Sequence, residues 1–262
     1  MNRALRTATT GMMAQQMNID TIAHNLANVN TTSFKKGRPE FQDLMYQTLK
    51  TTGVSQNPNV QQPMEVQIGN GVVPVGVQKT FLQGDVQPTE NPLDVAIQGE
   101  GFLQVRRADG TLAYTRDGAL KISGDGTLVT SQGYFLEPRL SFATDTTEIK
   151  IDREGVVEAK SVGESDMSKI GQLEMVKFVN PVGLHSIGDN MYLETPASGT
   201  PLLGTPGTEG YGEIMQGYLE SSNVDVVEEM VSMIVSQRAY ESTAKVLKTA
   251  DEMFSQINNV AR

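Results

Sequence analysis

The chain has 262 residues, a net charge of −10 and no cysteine or tryptophan, and 38% of it is hydrophobic. That length accommodates about two domains and a sizeable core, with part of the apolar surface reserved for other subunits. The missing cysteines exclude disulfides, thiol catalysis and cysteine-based metal sites. The acidic balance argues against nucleic acid and anionic membrane as partners. No stretch approaches the apolar length of a transmembrane helix. Arg3 and Arg6 are not followed by the apolar core of a secretory signal, so the residues alone read as cytoplasmic.

The first pattern along the chain is Leu5, Ala8, Met12, Gln15, Ile19, Ile22, Leu26 and Val29. Its steps alternate between three and four, which is a heptad seam, polar only at Gln15. Such a helix buries a narrow stripe against another helix. Asn30, Thr31, Thr32 and Ser33 then compete for backbone hydrogen bonds and stop it. Phe34 follows as a lone anchor, with Lys35 and Lys36 suited by charge to a helix C-terminus.

Residues 37–87 read as a connecting arm. Phe41, Leu44, Met45 and Leu49 have helical spacing after Pro39 and predict a short helix. Residues 51–71 are polar and broken by Gly and Pro, as in a loop or irregular arm. Beyond about Val72 the texture turns to β. Leu93, Val95 and Ile97 alternate, and Asp109-Gly110 separates two apolar runs with the strongest short hairpin signal. Asp117-Gly118, Asp125-Gly126 and Gln132-Gly133 repeat the punctuation in the rhythm of a small antiparallel sandwich or barrel. Further strands are expected at 149–151, 173–178 and 191–193, and residues 195–212 read as a Gly- and Pro-rich loop.

The second long helical pattern runs from Ser222 to Val260. Met230, Met233, Gln237, Tyr240, Ala244, Leu247 and Phe254 keep the three/four spacing. Ala239, Val246, Ala250, Met253, Ile257 and Val260 widen the stripe. Ser222 with Asp225 has the form of a capping box, and Glu228 and Glu229 suit the first turn. The expected fold is α+β: N- and C-terminal amphipathic helices forming a coaxial coiled-coil pair around an inserted antiparallel β domain. The boundaries read as 1–36 for the first helix, 37–87 for the arm, 88–212 for the β domain and 213–262 for the second helix.

Few residues suggest chemistry. Ser242 and Lys245 match S-x-x-K, but no companion motif is present, so they read as a turn of helix surface. Gly99-Glu100-Gly101 lacks the third glycine of a dinucleotide loop and reads as a bend in a sheet. His24 and His185 have no spaced partner for a metal. Asp117, Asp125 and Asp152 stand beside turn glycines without calcium-loop spacing. Met12, Met13, Met17, Met230, Met233 and Met253 can fill a core or adapt one helix to slightly unequal neighbours. No catalytic, cofactor-binding or metal-ligating residue is assigned.

Residues 22–36, IAHNLANVNTTSFKK, carry a resemblance. In the bacterial flagellar rod and hook family an Asn-Asn-(small or apolar)-Ala-Asn helix end is followed by Thr-x-Gly-Phe-Lys. Here stand Asn25, Leu26, Ala27 and Asn28, then Thr32, Ser33, Phe34 and Lys35. His24 takes the place of the first Asn, and Ser33, which tolerates positive φ less well than Gly, takes that of the Gly. The C-terminal stretch at 216–253 and the segments DVAIQGEGFLQV and AYTRDGAL resemble the same family. The resemblance implies a structural subunit of the flagellar rod, its length pointing to the distal part, and not an enzyme. It would form a helical homopolymer that encloses an export channel and transmits torque to the hook, and its arm at 37–87 would be an extended hairpin where the local spacing gives a short helix. Implied partners are further copies, neighbouring rod and hook subunits, the periplasmic and outer-membrane bushing rings and the flagellar export apparatus. Neither nucleic acid nor direct membrane insertion is expected.

The implied place is the basal body between periplasm and outer membrane, reached without a cleaved signal. The implied assembly interface comprises Leu5, Ala8, Met12, Ile19, Ile22, Asn25, Leu26, Asn28, Val29, Thr32, Phe34, Met230, Met233, Tyr240, Leu247 and Phe254. Asn25 and Asn28 are expected to hydrogen-bond neighbouring helices or helix-end carbonyls. The alternatives are a proximal-rod or hook subunit, a secreted hydrolase using Ser242 and Lys245, and an oligomeric binding module such as a coiled-coil adhesin.

Overall fold

The computed structural model describes residues 2–50, 65–163, 166–208 and 210–260. The chain divides into two compact units. One holds residues 1–27, 37–78 and 225–262; the other holds 28–36 and 79–224.

The first unit is built on two helices, α1 (Asn2–Ala27) and α2 (Val226–Val260), packed antiparallel on each other. The sequence pattern produces both, but the ends differ. α1 stops at Ala27, so Val29 lies beyond it in a turn. α2 is not capped by a Ser222–Asp225 box. Asp225 itself is the N-cap, its Oδ1 accepting from Val227 N at 2.8 Å and Glu228 N at 3.1 Å. The strand Gly37–Asp43 pairs with Val72–Lys79, and Gln47–Lys50 pairs antiparallel with Val66–Ile68. The helix expected across Phe41, Leu44, Met45 and Leu49 is therefore replaced by strands. The partner Val72–Lys79 carries four valines, which favour a pleated ladder. Met45 and Leu49 are exposed, so no buried stripe rewards a helix there. Most of the loop expected at 51–71 lies outside the described residues.

The second unit is a β structure whose main sheet has nine strands. Phe102–Arg106 and Leu112–Thr115 form the hairpin that Asp109-Gly110 predicts, with Val105 opposite Ala113. The sheet continues antiparallel through Phe135–Glu137, Leu128–Thr130 and Leu120–Ile122. Gly99 and Gly101 take φ of 115° and 145° in the bend before Phe102, in keeping with the sheet-bend reading. The stretch 195–212 is not all loop: Leu202–Gly204 pairs with Met175–Lys177. Its two leucines are exposed, which hid the strand from a burial pattern. Glu213–Gln216 pairs with Val95–Gln98, and Tyr218–Glu220 with Val86–Pro88, so the approach to α2 completes this unit.

The core of the second unit gathers Ile97, Leu103, Val105, Leu120, Leu136, Val157, Leu173, Met175 and Ile214, all buried. A smaller cluster stacks Phe102, Tyr114, Phe178 and Tyr192 edge to face, with ring centroids of Tyr114 and Phe178 at 4.8 Å. Leu103→Ala is expected to lower the stability of this unit by about 3 kcal/mol, the lost burial plus the cavity left behind. Urea unfolding followed by near-ultraviolet circular dichroism, which reads the tyrosines here, checks it.

Candidate functional site

Two constellations stand out, one in each unit. In the first, the antiparallel helices meet along a seam of seven-residue repeats. On α1, Ala8 and Ile22 are buried and Leu5, Met12, Gln15, Ile19 and Leu26 half-buried, as the spacing predicts. On α2, Met233, Tyr240, Leu247 and Phe254 are half-buried in the seam. The alternate positions differ from expectation by one residue. Glu229, Ser236 and Ala250 are buried, whereas Met230 is 49% exposed and Gln237 exposed too. The seam therefore runs Glu229, Met233, Ser236, Tyr240, Thr243, Leu247, Ala250 and Phe254. Met230 belongs to an outer face with Val227 (71% exposed), Val231 (56%) and Ile234 (51%).

Polar groups join the helices at two levels, and a close apolar contact joins them at a third. Asn25 Nδ2 donates to Glu229 Oε2 at 3.1 Å, and Asn18 Nδ2 donates to Ser236 Oγ at 2.7 Å. Gly11 lies against the methyl of Thr243, which a Cβ would meet at 3.7 Å. Asn25 also clamps the peptide of Gly37: its Oδ1 accepts from Gly37 N and its Nδ2 donates to Gly37 O, both at 2.9 Å. The expectation of interhelical bonding thus holds for Asn25. Asn28 Oδ1 accepts from Thr31 Oγ1 at 3.1 Å in the turn after α1.

The second constellation centres on residues 28–36 in the β unit. Lys35 does not neutralise a helix end. Lys35 is fully buried, donating to Glu220 Oε1 at 2.5 Å and to Leu82 O at 2.7 Å. Arg116, also buried, donates through Nε to Glu220 Oε2 at 3.1 Å and through its other nitrogens to Gly101 O and Gly99 O. Gly84 N completes the shell of Glu220 at 2.9 Å. Burial alone would raise the Glu220 pKa, but Arg116 and Lys35 outweigh it and hold the carboxyl below its ordinary range. Burial pushes the Lys35 ammonium down, against the pull of Glu220.

Ser33 adopts φ of 55° despite its side chain. Its N–H donates to Glu220 O at 2.8 Å and its hydroxyl to Arg116 O at 2.7 Å, which offsets the strain. Thr32 donates to Asp117 Oδ1 at 3.1 Å. Phe34 is buried, with the Lys79 ammonium 4.4 Å from its ring centre. Asp117, read as a turn residue, thus also anchors the segment. Glu220, Arg116, Asn18 and Ser236 were not singled out by sequence, and Glu229 was read only as a first-turn acid. They are polar residues in apolar surroundings, and no local spacing marks them.

The remaining candidates hold no site. Ser242 and Lys245 are exposed on α2. His24 and His185 are exposed as well, and among the described residues no three or more His, Cys, Asp or Glu gather in a metal-binding group. No helix among the described residues is long and apolar enough to cross a membrane.

Comparison with known proteins decides the class. Residues 5–35 match the family described as flagella basal body rod protein, 96–159 the D1 domain of flagellar hook protein FlgE/F/G, and 215–260 the C-terminal part of the flagellar basal body rod FlgEFG protein. A flagellar basal-body rod protein FlgG of Borreliella burgdorferi is 48% identical over all of both chains. Another of the same description from Agrobacterium fabrum is 46% identical over 97% of each, and one from Bacillus subtilis 36% identical over all of both. The chain belongs to the flagellar basal-body rod family. It is a structural rod subunit of the flagellar basal body and not an enzyme. The matched segments hold most of both constellations: α1 from Leu5 with residues 28–35, then Arg116 and Asp117, then Glu220 and α2, whereas Lys79, Leu82 and Gly84 lie outside them.

Removing one partner of a buried ion pair leaves the other charge uncompensated. Glu220→Gln is therefore expected to lower stability at pH 7 by about 3 kcal/mol. The folded pKa of Glu220 lies below its unfolded value of ~4.3, so its stabilisation is complete above that pH and is lost as pH falls through the folded pKa. Urea unfolding at pH 7 and pH 3 should show the parent losing more stability on acidification than Glu220→Gln. An equal loss in both would remove Glu220 from the acid response.

Proposed function

We propose that the chain is a subunit of the distal flagellar rod, polymerising through its terminal helices into a rigid helical tube that transmits torque from motor to hook. The observation that carries this reading is the second face of α2. Val227, Val231 and Ile234 recur at three- and four-residue steps and stay exposed after the seam with α1 is filled. Exposed contiguous apolar surface marks an interaction site. A face that meets an unlike face on the next copy makes a heterologous contact, and such contacts that do not close a ring generate a helix.

In this assembly α1 and α2 form the inner core and surround the export channel. The arm, residues 37–87, stiffens the tube with its exposed Met45, Tyr46 and Leu49, and the β domain, 88–212, forms the outer wall. The helix positions from Leu5 to Val29, with Met230, Met233, Tyr240, Leu247 and Phe254, divide between the intrachain seam and contacts with neighbouring copies. Thr32 and Phe34 hold the β unit that those contacts carry. The subunit leaves the cell through the flagellar export apparatus and turns within bushing rings of the periplasm and outer membrane.

Val231→Asp with Ile234→Asp tests the reading. Both side chains are exposed, so thermal unfolding of the soluble chain should stay within about 0.5 kcal/mol of the parent. Electron microscopy at rising concentration should show tubes from the parent and none from the variant, and cells carrying the variant should not swim. Tubes of parental diameter from the variant would overturn it.

A further inference from the structure

Two polar contacts between α1 and α2 share one register: Asn25 faces Glu229 and Asn18 faces Ser236. Gly11 lies against the Thr243 methyl in the same register. Each step is seven residues down one helix and seven up the other, so the two polar rungs and the Gly11 contact occupy the same position of an antiparallel heptad repeat. The apolar seam repeats with the same period. A slip of one heptad would again bring apolar side chains together, displacing the helices by about 10 Å at ~1.5 Å per residue. The seam by itself is therefore close to degenerate.

The rungs are not. Slip in one direction brings Asn25 to Ser236 and carries Glu229 past the end of α1, so a carboxylate that is now buried loses its amide donor. Slip in the other brings Asn18 to Glu229 and carries Asn25 past the start of α2. Either way a buried polar group gives up its partner, which costs more than the exchange of one apolar contact for another. Asn25 is additionally fixed by the peptide of Gly37, so the rung at that end is tied to the first residue of the arm.

We propose that this polar ladder, rather than the apolar seam, selects the axial register of the two terminal helices. Its consequence, which rests on the reading of α2 as an assembly surface, is that every copy presents Val227, Val231 and Ile234 at the same height beside α1. A register-heterogeneous population would present two surfaces that cannot share one helical lattice.

The absence of cysteine makes the register directly readable. Gly11→Cys with Thr243→Cys reports the observed register; Gly11→Cys with Ala250→Cys reports the one-heptad slip. Each pair is placed in the otherwise unchanged chain and in a chain with Asn18, Asn25, Ser236 and Glu229 all replaced by Leu. Oxidation of a mixture of 14N- and 15N-labelled chains, with mass spectrometry of the linked peptides, separates intrachain from interchain bonds. In the unchanged chain the Gly11/Thr243 pair is expected to link at least ~10-fold more than the Gly11/Ala250 pair. In the all-Leu chain the two should come within ~3-fold.

If the all-Leu chain does not fold, the milder Asn18→Ala with Ser236→Ala decides, with the slipped fraction expected to rise about tenfold. Retention of the single register in the all-Leu chain, or in the milder variant where that one decides, would overturn the proposal, as would slipped links in the unchanged chain. The cross-link is read on soluble and assembled protein alike. A failure of tube formation would thus strike the assembly reading without touching the register result.

Discussion

A buried carboxylate with two cations on it organises the β unit. Glu220 is sealed from water and cannot stay ionised there unless Lys35, Arg116 and the Gly84 amide all reach it. These residues come from four separate stretches of the chain. The node is therefore complete only when the segment after α1, the hairpin around residue 116 and the strand Tyr218–Glu220 have met. Arg116 extends the constraint to the bend before Phe102 through the carbonyls of Gly99 and Gly101. Ser33 tolerates a left-handed backbone because both of its donors are used in the same place. The Phe-Lys pair of the sequence signature is thus a docking plug for the sheet, filled by Phe34 and charged by Lys35.

The helices obey a different rule. They are read from spacing because each must bury one stripe, and the α1 seam from Leu5 to Leu26 was legible for that reason. The α2 seam was displaced by one residue at alternate positions. Apolar weight pointed to Met230 and Ala244, whereas the helices meet on Glu229, Ser236 and Thr243. A hydrophobic pattern cannot show a contact made by polar side chains. Nor can it tell the seam from a second apolar face that stays exposed. The arm was unsettled for a related reason: Phe41, Leu44, Met45 and Leu49 have helical spacing while the family resemblance implied a hairpin, and the valine-rich strand at 72–79 decides the backbone.

The hairpin at Asp109-Gly110 was legible because turn chemistry is local. The strands at 202–204 and 213–220 were less so, being short and partnered with residues far away in sequence. Glu220 and Arg116 stand in the segments that resemble the family, but nothing local marks their burial: charged residues in strands ordinarily face water. The family signature located the first helix end and Phe34, and the structure supplies the reason those residues occur together.

The β unit is closed by its own ion node, while the helix pair leaves apolar surface uncovered, and we propose that other copies complete the terminal helices. Hydrogen exchange measured by mass spectrometry on soluble and polymerised protein tests this most directly. Amides of α1 and α2 should exchange rapidly in the soluble chain and slow by about 100-fold or more in the polymer, while those of 102–106 and 112–115 stay protected in both. Full protection of both helices in the dilute soluble chain, unchanged on polymerisation, would contradict it.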